Sequence, residues 1–523
     1  MKLVTGDQMR ELDRRTIEEF GTPGAMLMDR AGSCVADRVQ RIVLSSGLAD
    51  PLVQLIAGRG NNGGDVFAAA HHLKDLGLAP EVILAGSADQ VRGDARTHLA
   101  RMQSAGIDLQ ELATLDHWKE AKERMSPGDV IVDGLLGIGA KGRARGPVAG
   151  AIAYIRHHAA SALVVAVDIP SGLDADTGRV EGEAVQADVT VTMGLPKCGL
   201  VESVADDYVG DIEVADIGFP DEYVEQMSAD PDREVIHETD LFPLFVRRNR
   251  GGHKGDYGHV LILGGSRRYA GAVVLAARAA MRSGAGLVTL LVPESIVPIV
   301  SVGSPEIIVR GAPETGEGSL SSELWSEWKD ALNGYSAVLI GPGMTRHAET
   351  RMLADRLLAE SRIPVVMDAD ALSVFAGEAS AMTAASCPLV VTPHPGEFSA
   401  LLGQTVAEVQ ADRPRAALRA AQTLGAIVVL KGSRTVVARP EAPVHINLSG
   451  NPGMATAGTG DVLAGMLVSL LGQGFAPFDA ARAAVALHGR AGDHVAWRQT
   501  QAGVIASDLI EELPYAFRSV CMR

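Results

Sequence analysis

Short apolar runs rich in β-branched residues alternate along this chain with longer segments whose apolar residues recur at helical spacing. In the first half this pattern predicts strands at residues 52–57, 81–85, 130–132 and 163–167, and a helix at 66–76. In the second half it predicts strands at 260–263, 287–292, 338–340, 365–367, 389–391 and 427–430, and a helix at 271–281. Such an order is typical of parallel sheets covered by helices, so we expect an α/β fold.

The alternation lapses near the middle of the chain, over an acidic stretch that contains prolines. We therefore predict two domains, at residues 1–220 and 237–523, joined by a linker at 221–236. A chain of 523 residues is also too long for one ordinary hydrophobic core.

Composition narrows the class of protein. Hydrophobic residues make up 47% and charged residues 21%, which is typical of a globular protein. The net charge of −17 argues against general binding of nucleic acid or anionic membranes. The four cysteines are far apart and form no zinc or disulfide pattern, and no stretch resembles a signal peptide or a membrane span. We therefore expect a cytoplasmic protein.

Polar residues of the first half follow the predicted strands, where parallel sheets bind their ligands. Residues 61–65 (Asn-Asn-Gly-Gly-Asp) follow one strand, and Asp133 and Asp168 end two others. Oxygen atoms of Asn62, Asp133 and Ser171 are suited to a hard cation. Taken alone, residues 61–65 fit equally well a turn with Asp65 as helix N-cap.

The second half contains an Ala-Gly-Thr-Gly-Asp segment at 457–461, before a predicted helix at 462–471. Its backbone N–H groups suit the charge of a transferring phosphoryl group, and Asp461 is placed to remove a proton from a hydroxyl. Lys431 and residues 432–435 suit a polyphosphate. No P-loop signature occurs, and a simple helix cap remains the alternative for residues 457–461.

Residues 58–65, 133–139 and 168–173 resemble the N-terminal domain of the bifunctional NAD(P)H-hydrate repair enzymes, the NAD(P)H-hydrate epimerases. The resemblance covers about residues 1–220. It implies a Rossmann-like three-layer domain with a parallel sheet, which interconverts the R and S epimers of hydrated NAD(P)H. It also implies a potassium ion bound by Asn62, Asp133 and Ser171, and Asp168 is our candidate acid/base group. The implied hydrate-binding residues are Asn61, Asn62, Gly63, Gly64, Asp65, Gly137, Ile138, Gly139, Ala140, Lys141, Gly142, Arg143 and Asp168.

The Gly-Thr-Gly-Asp motif resembles the ribokinase-like superfamily. Together with residues 253–258, 264–266, 341–343, 392–397 and 451–455 it resembles the ADP- or ATP-dependent NAD(P)H-hydrate dehydratases, over about residues 235–515. The resemblance implies a ribokinase-like α/β domain that dehydrates the S hydrate with ADP and magnesium, giving AMP and phosphate. The implied contacts are Ala272, Gly343, His394 and Asp461 for the hydrate, and Lys431, Gly432, Ser433, Arg434, Thr435 and Gly460 for ADP.

Two other interpretations are open at this stage. The second domain could be a kinase for a vitamin precursor. The first domain could be a non-catalytic module that binds protein or RNA. The presence of Asn62, Asp133, Asp168 and Ser171 favours the epimerase instead. His394 taken alone also fits a structural role in a proline-rich turn. We expect the partners to be the hydrates and ADP, with no nucleic acid and no membrane, and we expect a homo-oligomer.

Overall fold

The computed structural model describes residues 1–48, 50–227, 230–303, 305–441 and 443–521. It divides the chain into two compact units, one of residues 2–231 and one of Met1 with residues 232–523.

The range 221–236, expected to be a linker, contains two regular elements. Residues 221–226 form a short helix of the first unit, and residues 233–236 form an edge strand of the second. That strand pairs in parallel with residues 444–447, a contact between segments distant in sequence that local composition does not reveal. Residues 228 and 229 of the range lie outside the described part.

The first unit is built on a parallel sheet of seven strands in the order β3-β2-β1-β4-β5-β6-β7. The strands are β1 (Val53–Ala57), β2 (Glu81–Leu84), β3 (Leu109–Glu111), β4 (Val130–Gly134), β5 (Leu163–Val167), β6 (Val189–Met193) and β7 (Asp211–Ala215). The helices are α1 (Gly6–Glu18), α2 (Gly24–Ser46), α3 (Asn61–Asp75), α4 (Gly93–Ser104), α5 (Leu115–Arg124), α6 (Gly146–His158), α7 (Asp206–Val209) and α8 (Asp221–Gln226).

Residues 61–65 are not a loop, as the sequence suggested, but the first turns of α3. Asp65 is therefore not its N-cap; Gly60 holds that position without a side-chain hydrogen bond. The glycines permit this close packing: a Cβ on Gly63 would lie 1.9 Å from the carbonyl oxygen of Gly58, and one on Gly64 would lie 2.5 Å from the sulfur of Met28.

The second unit contains a sheet of ten strands in the order β11-β10-β9-β12-β13-β14-β15-β16-β17-β8. All its pairings are parallel except those of β16 with β15 and β17. The strands are β8 (Arg233–Ile236), β9 (His259–Leu263), β10 (Leu287–Pro293), β11 (Ile308–Ala312), β12 (Ala337–Ile340), β13 (Val365–Met367), β14 (Leu389–Val391), β15 (Ile427–Leu430), β16 (Val436–Ala438) and β17 (Val444–Asn447).

Twelve helices accompany that sheet in the described ranges. They are α9 (Glu238–Leu241), α10 (Ala270–Arg282), α11 (Val297–Val302), α12 (Trp325–Trp328), α13 (Ala348–Glu360), α14 (Asp370–Ser373), α15 (Pro395–Leu402), α16 (Val406–Ala411), α17 (Arg413–Leu424), α18 (Thr459–Gly472), α19 (Pro477–Arg498) and α20 (Ala506–Cys521).

Alternate residues of the second sheet belong to two different cores. Val260 and Ile262 of β9 pack with α10, α18, α19 and α20, whereas Leu261 and Leu263 pack with α13 and α17. Because successive side chains of a strand point to opposite faces, helices cover both faces of this sheet. The predicted α/β class is thereby confirmed.

Both sheets have a topological switch point, where the strand order reverses and ligands of such folds bind. In the first unit it lies between β1 and β4, and in the second between β9 and β12. Residues 61–65 come after β1, Asp133 belongs to β4, and residues 341–343 follow β12. Asp168 and Lys431 instead follow β5 and β15. In the described part of the chain, no helix combines the length and apolar character needed to cross a membrane.

Candidate active sites

Three oxygen-bearing side chains meet at the switch point of the first unit, as the sequence predicted. Ser171 Oγ donates to Asp133 Oδ1 at 2.7 Å, and the Ser171 N–H donates to Asp133 Oδ2 at 2.8 Å. Leu136 joins them to Asn62, because its N–H donates to Ser171 Oγ (2.9 Å) and its carbonyl accepts from Asn62 Nδ2 (2.9 Å). The amide oxygen of Asn62 lies beside Gly137, where a Cβ would be 3.6 Å from it.

This group of atoms fits a hard monovalent cation. Asp133 is fully buried in β4, and burial raises its pKa to about 6, while hydrogen bonds from Ser171 and Leu135 act in the opposite direction. A nearby cation would stabilise the buried carboxylate. No group of three His, Cys, Asp or Glu side chains suited to a metal occurs among the described residues, so such a cation would be held by mixed amide, hydroxyl and carboxylate oxygens.

Asp168, the predicted acid/base group, forms a buried ion pair with Lys197. Its Oδ1 accepts hydrogen bonds from Lys197 Nζ and from the N–H of Met193 at 3.1 Å. Lys197 is fully buried and also donates to Thr192 Oγ1 at 3.0 Å. A charge so deeply buried is retained only when it is paired, so this lysine fixes the position of the Asp168 carboxylate.

Two members of this charged group, Lys197 and Asp13, were missed by sequence reasoning. Lys197 follows β6 within an apolar stretch, and Asp13 lies on an ordinary amphipathic helix, so neither forms part of a recognisable motif. Burial and the charge of Asp168 raise the pKa of Asp13 to about 6, and the same causes raise the pKa of Asp65 well above its usual range. Asp168 therefore contacts Lys197 directly, and the charge of Lys197 also acts on the carboxyl groups of Asp13 and Asp65.

The other predicted hydrate-binding residues differ in exposure. Asn61 is exposed, whereas Gly63 and Gly64 are buried by the helix packing described above. The segment 137–143 runs from the cation group towards the surface, and its last residues, Lys141, Gly142 and Arg143, are exposed. The glycines of α3 therefore act by shaping the cleft, while the 137–143 segment supplies accessible groups.

In the second unit, Asp461 lies in the first turn of α18, which begins directly after Gly458. Gly458 has a φ of 93°, and the free N–H groups of the helix start follow it. Burial and the charge of Asp368 raise the pKa of Asp461 to about 7, against the effect of Lys431. A carboxyl group with this pKa can both lose and accept a proton near neutral pH.

Lys431 lies at the centre of an acidic group of side chains. Its Nζ is 2.7 Å from Asp368 Oδ1 and 4.0 Å from Glu397 Oε2, and a Cβ on Gly460 would lie 3.3 Å from it. Burial opposes its charge, but Asp368 and Glu397 outweigh that effect and raise the pKa of Lys431. The sequence predicted that Lys431 binds a polyphosphate. In the structure its ammonium group lies beside Gly460, in the first turn of α18.

His394 is the N-cap of helix α15, so it has the structural role in a proline-rich turn that the sequence left open. Its Nδ1 accepts hydrogen bonds from the N–H groups of Gly396 (3.0 Å) and Glu397 (3.2 Å), and about half of its side chain is exposed. Burial and the neighbouring charge of Lys431 lower its pKa. Its Nε2 lies 3.5 Å from Glu397 Oε1.

Gly343 and Ala272 lie together beside Tyr269. A Cβ on Gly343 would lie 2.5 Å from the carbonyl oxygen of Tyr269 and 3.3 Å from Cβ of Ala272, and Gly343 has a φ of 66°. Gly265 N–H fixes the two loops together by donating to the Pro342 carbonyl at 2.7 Å. Ala272 of α10 and Gly343, which follows β12, therefore lie side by side near the switch point between β9 and β12.

Backbone strain marks both sites. In the described ranges, four residues other than glycine have a positive φ: Asp168 (66°), Thr345 (68°), Ala369 (51°) and Arg434 (53°). Each adjoins or belongs to a predicted site, since Thr345 follows Gly343, Ala369 follows Asp368, and Arg434 lies in the 431–435 segment. Such conformations cost on the order of 1–3 kcal/mol and persist where surrounding structure enforces them, often at functional sites.

Comparison with known proteins agrees with the division of the chain into two units. Residues 24–199 match the family described as YjeF-related protein N-terminus, and residues 260–515 match the NAD(P)H-hydrate dehydratase family. A bifunctional NAD(P)H-hydrate repair enzyme from Moorella thermoacetica is 41% identical over 99% of this chain and 97% of its own length. One from Thermofilum pendens is 37% identical, with the same coverage. A crystal structure of a ribokinase-like superfamily protein from Enterococcus faecalis V583 has a TM-score of 0.50 and 26% identity, covering 57% of this chain and 99% of that one.

Proposed function

Because this chain belongs to the family of bifunctional NAD(P)H-hydrate repair enzymes, we propose that the sites described above carry out the two halves of that repair. The first unit is the epimerase and the second is the dehydratase. The single observation that best supports this assignment is that each unit assembles its own group of titratable residues beyond the carboxyl ends of its own strands.

In the dehydratase half, Asp461 acts as the base. It removes the proton from the hydroxyl of the S hydrate, and the hydroxyl oxygen attacks the terminal phosphoryl group of the nucleotide. The N–H groups at the start of α18 and the ammonium of Lys431 stabilise the charge of the transferring phosphoryl. Phosphate is a far better leaving group than hydroxide, so the ring nitrogen can then expel it and restore the reduced nucleotide.

We propose ADP as the donor, held by residues 431–435 and Gly460, with AMP and phosphate as products. Glu397 offers a carboxylate oxygen 4.0 Å from Lys431 Nζ, and carboxylate oxygens are ligands that Mg²⁺ prefers. When bound, the metal would offset phosphate charge in this acidic site.

In the epimerase half, Asp168 is the acid/base group, and Lys197 holds it in place. We propose that Asn62, Asp133 and Ser171 hold a potassium ion, which would supply a fixed positive charge in the cleft. The segment 137–143 and Asn61 contact the hydrated nucleotide. Assembly as a homo-oligomer stays a prediction, which light scattering on the purified protein can test.

The pairing of activities has a chemical reason. A phosphoryl-transfer site is chiral and accepts one epimer, whereas spontaneous hydration gives both. An epimerase in the same chain lets the whole damaged pool reach the dehydratase.

The test of this proposal is recovery of NADH or NADPH from mixed hydrates, followed by absorbance, with ADP and ATP assayed side by side. We expect recovery that requires a nucleotide donor and is faster with ADP. Recovery with neither donor would refute the dehydratase assignment, and faster recovery with ATP would overturn the donor assignment.

A further inference from the structure

Helix α1 is attached directly to the turn that carries Lys197. The N–H of Val4 donates to the carbonyl of Pro196 at 3.2 Å, and the N–H of Cys198 donates to the carbonyl of Val4 at 2.9 Å. Thr5 then caps the helix through a reciprocal capping box with Gln8. The start of α1 is therefore fixed by the epimerase site itself.

A second contact fixes the same helix to the segment expected to bind substrate. Arg10 Nη1 donates to the carbonyl of Ile138 at 3.1 Å, and the N–H of Gly6 donates to Asp176 Oδ1 at 2.7 Å. The first turns of the helix therefore contact both the Lys197 turn and the 137–143 segment.

Asp13 occupies the inward face of this helix. Met9, Leu12 and Thr16 are buried, and Asp13 is half-buried among them at the spacing of one helical face. The charges that act on its carboxyl from other elements are those of Asp168, after β5, and Lys197, after β6. A carboxyl placed on a packed face towards an ion pair has no evident structural purpose.

The chemistry of epimerisation calls for two proton-carrying groups. Loss of the hydroxyl as water requires a proton donor, while addition of a new water requires an acceptor. Asp168 is paired with Lys197 and is suited to accept a proton. Asp13 lies on the helix face that Met9, Leu12 and Thr16 bury, and the first turns of that helix contact the Lys197 turn and Ile138. Burial also raises the pKa of Asp13 to about 6, so its carboxyl can exchange a proton at mildly acidic to neutral pH.

We propose that Asp13 is a catalytic residue of the epimerase, which donates a proton to the departing hydroxyl of the hydrate. This role rests on the proposed function of the first unit. The C–O bond breaks, the nitrogen lone pair forms a C=N bond, and the hydroxyl leaves as water with the proton of Asp13. Water then adds to the other face of the C=N bond and gives its proton to Asp168. Solvent returns that proton to Asp13, so atoms and charge balance.

The test measures interconversion of separated R and S hydrates by chromatography, without ADP, so that dehydration does not run. Asp13→Asn should slow interconversion by about 10²- to 10³-fold. Asp13→Glu should restore at least a tenth of the wild-type rate. The matched control is Glu11→Gln, an exposed carboxyl on the same helix, which should leave the rate unchanged. All three variants should dehydrate the S hydrate at the wild-type rate, because that activity belongs to the other unit. Their far-UV circular dichroism and thermal unfolding should match those of the wild type, which checks that the first unit folds.

Two further readouts separate catalysis from a structural effect. The wild-type rate should fall as pH rises through about 6, because the donor loses its proton, and this decline should be absent in Asp13→Asn. In ¹⁸O-labelled water the new epimer should carry the label. An Asp13→Asn rate within threefold of wild type, or new epimer without label, would overturn the proposal. A wild-type protein that does not interconvert the epimers contradicts the proposed function itself, whereas an active wild type with an equally active Asp13→Asn contradicts only the role of Asp13.

Discussion

Replacement of Asp461 by Asn tests the dehydratase mechanism most sharply. The substitution keeps the shape of the side chain in the first turn of α18 but removes the base. General bases contribute about 10²- to 10⁴-fold to a rate, which corresponds to about 3–5 kcal/mol of activation free energy. We therefore expect Asp461→Asn to lose at least a hundredfold in NADH recovery from the S hydrate, while interconversion of the epimers continues at the wild-type rate.

The pH dependence of the wild type follows from the same residue. The pKa of Asp461 is raised to about 7 by burial and by Asp368, and the base acts only when ionised. The rate of dehydration should therefore rise with pH through about 7 and then level off. The residual rate of Asp461→Asn should lack this rise.

As pH rises through about 7, the free energy of unfolding of the wild type should fall while its dehydration rate rises. A carboxyl group with a pKa raised from 3.8 to about 7 favours the folded state less as pH rises through this range, at a cost of at most about 4 kcal/mol above pH 7. Asparagine carries no charge, so Asp461→Asn should unfold at an equal or higher urea concentration than wild type at pH 8. Asp508→Asn, in the first turn of α20, controls for loss of a helix-start carboxylate. Dehydration by Asp461→Asn within threefold of wild type would refute the assignment of the base.

Three further substitutions probe other parts of the account. Asp133→Ala should abolish the stimulation of epimerisation by potassium while leaving dehydration unchanged, measured with potassium and with sodium salts. Gly343→Ala should reduce kcat/KM for the hydrate at least tenfold, because its Cβ would meet the Tyr269 carbonyl. Gly377→Ala is the control, since Gly377 has a similar φ but lies in open space. Equal kinetics of the two variants would contradict this prediction. Lys431→Ala should lower the free energy of unfolding by about 3 kcal/mol in urea, because it leaves a buried carboxylate unpaired, whereas an unchanged midpoint would show that the ion pair adds no stability.

The strands were the most predictable part of this fold. Four of them, at residues 163–167, 365–367, 389–391 and 427–430, have the predicted bounds, because each is a run of apolar, mostly β-branched residues that ends at polar side chains. Strand β8 was missed because its strand partner β17 lies some 200 residues later in the chain. The start of α3 was missed because paired glycines usually interrupt helices, whereas here close packing requires them.

The sites were predictable where residues form motifs and not where single residues converge. Asn62, Asp133 and Ser171 stand next to strand ends, so their meeting at one edge follows from parallel topology. Lys197 and Asp13 reach the same cleft only through the turn after β6 and the docking of α1, which depend on tertiary contacts. The environment of Asp461, set by side chains on three other segments, likewise exists only in the folded chain.

We expect this chain to convert both epimers of the damaged nucleotide to the reduced form through a single dehydratase site. The most direct test supplies the wild-type protein with pure R hydrate of NADH, together with ADP, magnesium and potassium, and follows the absorbance of NADH. We expect complete recovery of NADH, with the S hydrate appearing as a transient species. Failure to recover NADH from the R hydrate, by a protein that dehydrates the S hydrate, would contradict it.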